Sequence, residues 1–454
     1  MNRKLRLLSL ALALIFISLS ACSQQSSGGG EPPAAEAGKE TDGAETDKGE
    51  NGGEQQPPKN VTLDFWTIAL SPTFDDYING RIAKYEQEHP GIKVKWTDLP
   101  FNAIENKLLT SIAGGRSPDV VNLNTTMALT LASKNALVDL NAEATEEQRG
   151  IYFEELYKSA SIGDSAYAFP WYIAPHVFMY NKSLYEQAGL DPAAPPKTWE
   201  EVKRQSITIK QKTGKYGFVV TDSYIAQMYL SGVPVVNEEK TKIIINTPEA
   251  LEYAKFVKSL YDEDAVPKDG ITGGYAFALN QYQAGEIAML ITGPQFLKRI
   301  KENAKEVYDN TLIAEVPTRS TEGKIHAPLM NVVVPTMSDA HKEAIEFANY
   351  ITNDESQLEF SKIVNILPST KEAAKDPFFT QSGDDPESKA KVISAESLPR
   401  AVDVTFGIKQ EGELISLLTK EFEKMLLGQQ SPEDTLKIAE EAMQKKLDEI
   451  NAQY

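Results

Sequence analysis

A chain of 454 residues exceeds what one ordinary hydrophobic core organises, so its length implies two lobes. The net charge of −19 argues against nucleic acid as a partner and against electrostatic adhesion to an anionic bilayer. Cys22 is the only cysteine, which excludes an intrachain disulfide.

Taken in order, the chain opens with Arg3, Lys4 and Arg6, followed by an almost wholly apolar run from Leu7 to Leu19. That is the layout of a secretory signal, residues 1–21, and the run is too short for a comfortable membrane span. The run ends in Leu19-Ser20-Ala21-Cys22, which resembles the lipobox of bacterial lipoproteins. In those proteins the chain is cut before the cysteine and its thiol carries diacylglycerol. Several acyl chains (palmitate-like), at ~0.8 kcal/mol per buried CH₂, anchor stably. The alternative is a plain signal peptide with an incidental cysteine. Residues 22–60 then read as the lipidated Cys22 and a low-complexity tether, rich in Gly, Glu, Ser, Gln, Pro and Thr and without aromatics. As a flexible coil the tether reaches roughly 30–35 Å.

The folded body starts at Val61, where Val61, Leu63 and Phe65 alternate as a strand. Ser71 to Glu88 reads as a helix, with Pro72 in its first turn and apolar residues at helical spacing. Ile92, Val94 and Trp96 alternate as the next strand. A helix over 103–113 and a turn-strand over 117–124 continue a βαβ rhythm of mostly parallel sheet. The stretch from Tyr167 to Lys182 carries Pro170, then Trp171 and Tyr172, then the apolar run Val177–Tyr180. Proline stiffens its entry, and the pattern predicts a buried strand with aromatics held rigidly at its mouth. Thr198 and Glu201 form a capping box, Tyr216–Val220 reads as a strand, and Thr247-Pro248 starts a helix. Further strands are expected over 287–291, 312–316 and 331–334. Ser338 is expected to cap a helix bearing Ala344, Phe347, Ala348 and Ile351, and Ser431 the last helix, whose apolar stripe is a packing face.

Motifs of catalysis are missing: no phosphate loop, dinucleotide fingerprint, His-Glu-x-x-His or nucleophile elbow occurs in the sequence. His89, His176, His326 and His341 show no ligand-like spacing and read as surface or helix-end residues.

Nine short pieces stand in a particular order behind the lipobox. They are Phe65-Trp-Thr67, Ile112–Val121, Ala136–Leu140, Ala168-Phe-Pro170, Met179–Lys182 with Ala188-Gly-Leu190, Pro196–Glu201, Gly285–Met289 with Thr292-Gly-Pro294, Ala344–Ile351 and Leu367-Pro-Ser369. On these pieces the chain, from Cys22 to Tyr454, resembles the bacterial extracellular solute-binding lipoproteins of family 1. Within them it is similar to the sugar-binding, maltose-binding-protein-like group of ABC importers. The resemblance implies an α/β fold: two discontinuous lobes of the type II periplasmic-binding-protein kind, joined by hinge strands around a ligand cleft. It places lobe one at 61–168 plus 310–336 and lobe two at 169–309 plus 337–454, with crossings near 167–171, 308–316 and 333–337.

The same resemblance implies a binding protein and not an enzyme, with no cofactor and no metal. Its partners are a small solute, expected to be a sugar, and the transmembrane subunits of an ABC permease. It is expected to be a monomer on the extracytoplasmic face of the cell membrane, held by its lipid anchor. Sugars offer apolar faces and polar edges, which suit aromatic and planar polar side chains in a preformed cleft. The positions this points to are Trp171, Tyr172, Asn124, Gln295, Tyr224, Trp66, Asn122 and Asn331. Two departures stand out: Gln295-Phe296 follows Gly-Pro where similar proteins often carry Trp, and Ile173-Ala174 follows the Trp-Tyr pair where many carry an acid. A non-sugar solute of the same fold, with Arg400 as a charge partner, and a surface-anchored hydrolase are the competing readings.

Overall fold

The structure, a computed structural model, describes residues 60–452 apart from 102, 222, 320–322 and 382. The expected signal sequence, Cys22 and all but the last residue of the tether lie outside the described residues.

Two sheets organise the folded body. The larger contains β1 (Val61–Ile68), β2 (Ile92–Leu99), β3 (Val120–Asn124) and β4 (Phe169–Ile173). The smaller contains β5 (Val177–Asn181), β6 (Met289–Thr292) and β7 (Thr311–Ala314). The chain then returns to the larger sheet with β8 (Leu329–Val333) and β9 (Leu367–Pro368). The six-stranded order is β9-β4-β8-β3-β1-β2 and the three-stranded order β6-β5-β7. β1 pairs in parallel with both β2 and β3, while β8 runs antiparallel between β3 and β4.

The six-stranded sheet is mixed and covered on both faces at its centre, so β3 is buried along nearly its whole length, while β2 at the edge alternates and exposes Lys93 and Lys95. Leu63, Phe65 and Val120 share a core with Tyr77, Ile82 and Tyr85 of the helix Asp75–Glu88. On the other face, Trp66, Val121 and Leu123 pack with Ile104 and Leu108 of the helix Ile104–Ala113. The Ala344, Phe347, Ala348, Ile351 stripe closes the first of these cores, with Phe347 edge-on to Phe65 at 5.2 Å. The three-stranded sheet anchors a second body, in which the helices Trp199–Thr213, Pro248–Asp262, Glu411–Leu426 and Pro432–Asn451 share one core.

The sheets divide the chain at other places than the expected lobe boundaries. Thr311–Ala314, expected in lobe one, pairs with β5 in the three-stranded sheet. Phe169–Ile173, expected in lobe two, is a strand of the six-stranded sheet. The helices His341–Ile351 and Asp354–Ile363, also expected in lobe two, cover the six-stranded sheet, because their apolar stripes fit the face that Phe65 and Trp171 present. Three crossings therefore connect the bodies: 174–176, 315–328, and the stretch between Pro368 and the helix Pro386–Ser397, which packs on β5 and β7. Ile173, Ala327, Leu329, Leu367 and Phe379 make a small apolar core where these crossings meet.

Local departures have local causes. The first helix starts at Asp75 and not Ser71, because Asp98 takes the backbone N–H groups of Leu70 (3.0 Å) and Ser71 (3.1 Å) and holds them as a loop. Tyr216–Val220 is no regular strand. It makes one bridge, Tyr216 to Ile287, and Gly217 lies so close to Ser206 that a Cβ there would sit 2.1 Å from its Oγ. The helix after Ser338 starts at His341 without a side-chain cap; the Ser338 hydroxyl donates instead to Asp119 at 2.6 Å.

Candidate functional site

Strand directions locate the site. β8 runs antiparallel to β3 and to β4, so β1, β2, β3 and β4 all end at one edge of the six-stranded sheet. In open α/β sheets, ligands bind beyond the carboxyl ends of the strands. In the three-stranded sheet, β6 and β7 are both antiparallel to β5, so their ends lie beside the start of β5. Only residues 174–176 separate the end of β4 from the start of β5. This short link joins the carboxyl edge of one sheet to the carboxyl edge of the other, and the loops from both converge there.

On the six-stranded side these loops are tightly built. Thr67 donates to Asp98 Oδ1 at 2.6 Å and accepts from Trp96 Nε1 at 2.7 Å. Asn124 caps the helix Thr125–Ala132, its Oδ1 accepting from Met127 N at 2.8 Å. Behind it runs a buried polar relay. Asn122 Nδ2 donates to the Asn331 carbonyl (3.0 Å), Asn331 Nδ2 donates to Thr125 Oγ1 (3.0 Å), and Thr125 Oγ1 donates to the Asp403 carboxylate. Asn122 and Asn331 are 0% exposed, and each keeps an amide oxygen without a partner.

The relay ties the larger sheet to the 401–411 segment, which leads into the helix of the second body. Beside it, Glu411 is fully buried; its carboxylate accepts from Phe406 N (3.0 Å), Thr405 Oγ1 (3.0 Å) and Thr126 Oγ1 (3.3 Å). Burial raises the pKa of both Asp403 and Glu411, partly opposed by these donors.

On the three-stranded side, β6 runs into Gly293-Pro294-Gln295. Gln295 folds back over Gly293, where a Cβ would lie 2.1 Å from its Oε1, and that buried oxygen has no partner. Gly274, at φ +59°, kinks the helix Gly270–Gln283 and delivers Tyr275, whose hydroxyl bonds that of Thr292 and whose ring lies 5.3 Å from Phe296. Lys298 reaches across to the other body, with Nζ 5.2 Å from the Phe74 ring centroid. Tyr229 and Phe406 make an edge-to-face pair at 6.0 Å, with Lys324 Nζ 5.8 Å from the Tyr229 ring.

Beside the hinge lies a narrow crevice with room for about one water, lined among others by His176, Gln227, Ile291, Arg319, Lys324 and His326. His176 is buried, with its ring 4.9 Å from that of half-buried His326, so His176 is neither a surface nor a helix-end histidine.

The expected site residues divide. Gln295 and Asn124 stand at the converging edges. Tyr172 closes β4 there, largely buried, and burial raises its phenol pKa. Trp171 is 0% exposed: its indole packs on Tyr172 (5.5 Å) and Phe360 (5.5 Å) inside the core, with Nε1 unpartnered. The aromatic expected at the open mouth of the strand thus faces inward: Trp171 and Tyr172 both pack on Phe360, and the register of β4 against β8 shifts at position 171, which breaks simple alternation. Tyr224 likewise stacks on Phe422 at 4.7 Å within the second body. Trp66 is buried under Lys107, 4.9 Å from its ring. Arg400 is engaged elsewhere, pairing with Glu315 at 2.9 Å and donating to the Gly323 carbonyl. Tyr275, Tyr229, Phe406, Lys324 and Arg319 escaped the sequence reading; the Gly273-Gly274 pair before Tyr275 was the one local signal.

Two bodies hinged by three crossings, with loops converging from both carboxyl edges, define a two-lobe binding protein of the periplasmic type. The family of bacterial extracellular solute-binding proteins matches residues 71–358, and the chain belongs to it. It is a family of solute-binding proteins rather than of enzymes.

A periplasmic-binding protein of Synechococcus sp. MITs9220 is 30% identical and superposes with a TM-score of 0.78 over 86% of this chain and 99% of its own. The GacH receptor of Streptomyces glaucescens, solved unliganded and with acarbose, superposes at 0.74 with 22% identity over 85% and 98%. The arabinooligosaccharide-binding protein of Halalkalibacterium halodurans is 23% identical over 71% of this chain and 74% of its own length.

Proposed function

We propose that this protein is the lipid-anchored, extracytoplasmic receptor of an ABC importer, binding a mono- or oligosaccharide between its two bodies and presenting the closed form to the permease. The observation that carries this reading is the convergence of the two carboxyl edges at residues 174–176, in a chain of the solute-binding family. The saccharides named for GacH and for the arabinooligosaccharide-binding protein support a sugar as the solute. Lobe one is the body of the six-stranded sheet and lobe two that of the three-stranded sheet.

In this reading Tyr172 and Asn124 present polar groups from one side, and Gln295, Tyr275 and Phe296 face them from the other. Trp66, Trp171, Tyr224, Asn122 and Asn331 set the shape of the walls from behind. Only a solute touching both bodies closes the cleft. The signal sequence is removed before Cys22, the cysteine is lipidated, the tether lets the body range above the membrane, and the receptor works as a monomer.

A thermal-shift screen over mono- and oligosaccharides tests it. A ligand at 100 times its Kd adds about 2.7 kcal/mol of stability, which such a screen reads easily. Silence across the panel together with hydrolysis of a glycoside would overturn the reading.

A further inference from the structure

Beside the hinge the larger sheet turns its aromatic rings inward: Trp171 is fully buried and Tyr172 nearly so. The next ring along the same wall is more open. Phe74 follows β1, directly precedes the helix Asp75–Glu88, and is only half-buried. Phe74 and Tyr172 both stand edge-on to Phe360, at 5.2 Å and 5.6 Å, so one side chain separates them. β8 and β3 lie between β4 and β1, which puts Phe74 further than Tyr172 from the link at 174–176.

Two polar groups meet this ring without partners of their own kind. From the second body, Lys298 places Nζ 5.2 Å from the Phe74 ring centroid. The lysines further along are paired, Lys301 with Glu387 at 3.0 Å and Lys305 with Asp309 at 2.8 Å. Lys298 itself makes no ion pair and no hydrogen bond among the described residues; the ring is its contact. It lies one turn on from Gln295, so the two side chains share a helix face. From the first body comes Asp75, next to Phe74 in the chain. Its Oδ1 is buried and has no hydrogen-bond partner. A buried carboxylate oxygen calls for a donor, and a ring face holds a partly exposed ammonium less firmly than an oxygen acceptor does.

We propose that Phe74, Asp75 and Lys298 form a second sugar subsite, which makes the solute a disaccharide or longer. One unit lies at Tyr172 and Gln295 beside the hinge, and the next lays its C–H face on Phe74. Asp75 accepts a hydroxyl of that unit, and Lys298 leaves the ring to donate to its oxygens. Because Asp75 and Lys298 belong to different bodies, the second unit is itself a bridge that favours closure. This deepens the reading of the cleft as a sugar site and rests on it.

The test is calorimetry on the intact chain with glucose, arabinose, mannose and N-acetylglucosamine, each as the monosaccharide and as its linked di- and trisaccharide. In the series that binds, the disaccharide is held at least about tenfold more tightly than the monosaccharide. Asp75→Asn, Lys298→Gln and Phe74→Leu, which keeps an apolar side chain against Phe360, each weaken the disaccharide about fivefold to tenfold. The same variants change monosaccharide affinity by under about twofold, a split that a general loss of structure would not give. Asp76, exposed in the same first turn, is the control for charge at the helix end: Asp76→Asn changes no affinity by more than about twofold. Should Phe74→Leu fail to fold, Asp75→Asn and Lys298→Gln carry the test. Equal affinity for mono- and disaccharide, or disaccharide affinity unchanged in Asp75→Asn and Lys298→Gln, overturns the subsite and leaves the sugar reading standing. Silence towards every saccharide overturns both.

Discussion

Thr125→Val removes one hydroxyl and nearly no volume, and it cuts the relay that ties the two bodies together. Thr125 Oγ1 donates to the Asp403 carboxylate and accepts from Asn331 Nδ2 at 3.0 Å, so both bonds go at once. A bond to a charged group contributes about 1.5–3 kcal/mol and a neutral one about 1, which gives a loss of about 2.5–4 kcal/mol. The asymmetry adds to this, because Asn331 is fully buried and its amide is left without an acceptor.

Equilibrium unfolding in urea reads the loss directly, as a fall in midpoint at unchanged slope. Thr126→Val is the matched control: Thr126 is half-exposed, its 3.3 Å contact to Glu411 is long, and its loss costs under about 1 kcal/mol. The pH dependence follows with a definite sign. Burial raises the pKa of Asp403, so the folded state holds the proton more tightly than the unfolded one. Stability therefore falls as pH rises through the window between the two values. Losing the Thr125 donor raises that pKa further, so the cost of the mutation shrinks on acidification. A Thr125→Val protein within 0.5 kcal/mol of the parent, or a Thr126→Val protein equally damaged, would refute the relay as a structural tie.

Four further outcomes are expected. Glu411→Gln flattens the fall of melting temperature with rising pH, since the raised pKa of Glu411 makes its ionised form costly; an unchanged pH profile contradicts the assignment. Trp171→Ala costs about 3–5 kcal/mol of folding stability, as a fully buried aromatic does; a loss under 1 kcal/mol would place the indole outside the core. Gly293→Ala displaces the Gln295 side chain and weakens solute binding by about 1–3 kcal/mol in calorimetry, with little change in melting temperature; the reverse pattern makes Gln295 purely structural. Lys298→Ala removes a contact across the cleft worth about 0.5–1 kcal/mol and shifts scattering curves of the unliganded protein towards a larger radius; unchanged curves discount that contact.

What the sequence disclosed was what local chemistry decides. Val61–Phe65 alternates and forms β1; Thr198, Thr247 and Ser431 cap the helices they were expected to cap. The signature pieces pointed to the right family. Which body each element joins depends on pairing between distant residues, and this misplaced Thr311–Ala314 and the 341–363 helices. The site was legible only in part. Asn124 and Gln295 stand at or just past strand ends, so their positions could be read from strand order, but the burial of Trp171 depends on Phe360, distant in sequence, on which both it and Tyr172 pack. Arg319 and Lys324 flank a stretch without strong periodicity, and nothing nearby in sequence announces that Trp199, Tyr253 and Phe256 surround the guanidinium.

The central claim is that a saccharide draws the two bodies together. With Cys22 replaced by Ser, the chain has no other cysteine, so spin labels at Asp76 and Arg299, both exposed and carried by different bodies, report one distance by pulsed electron resonance. The account predicts a broad or two-peaked distribution without ligand that collapses to its shorter distance with a saccharide that calorimetry shows to bind. A distribution unmoved by every bound saccharide would contradict it.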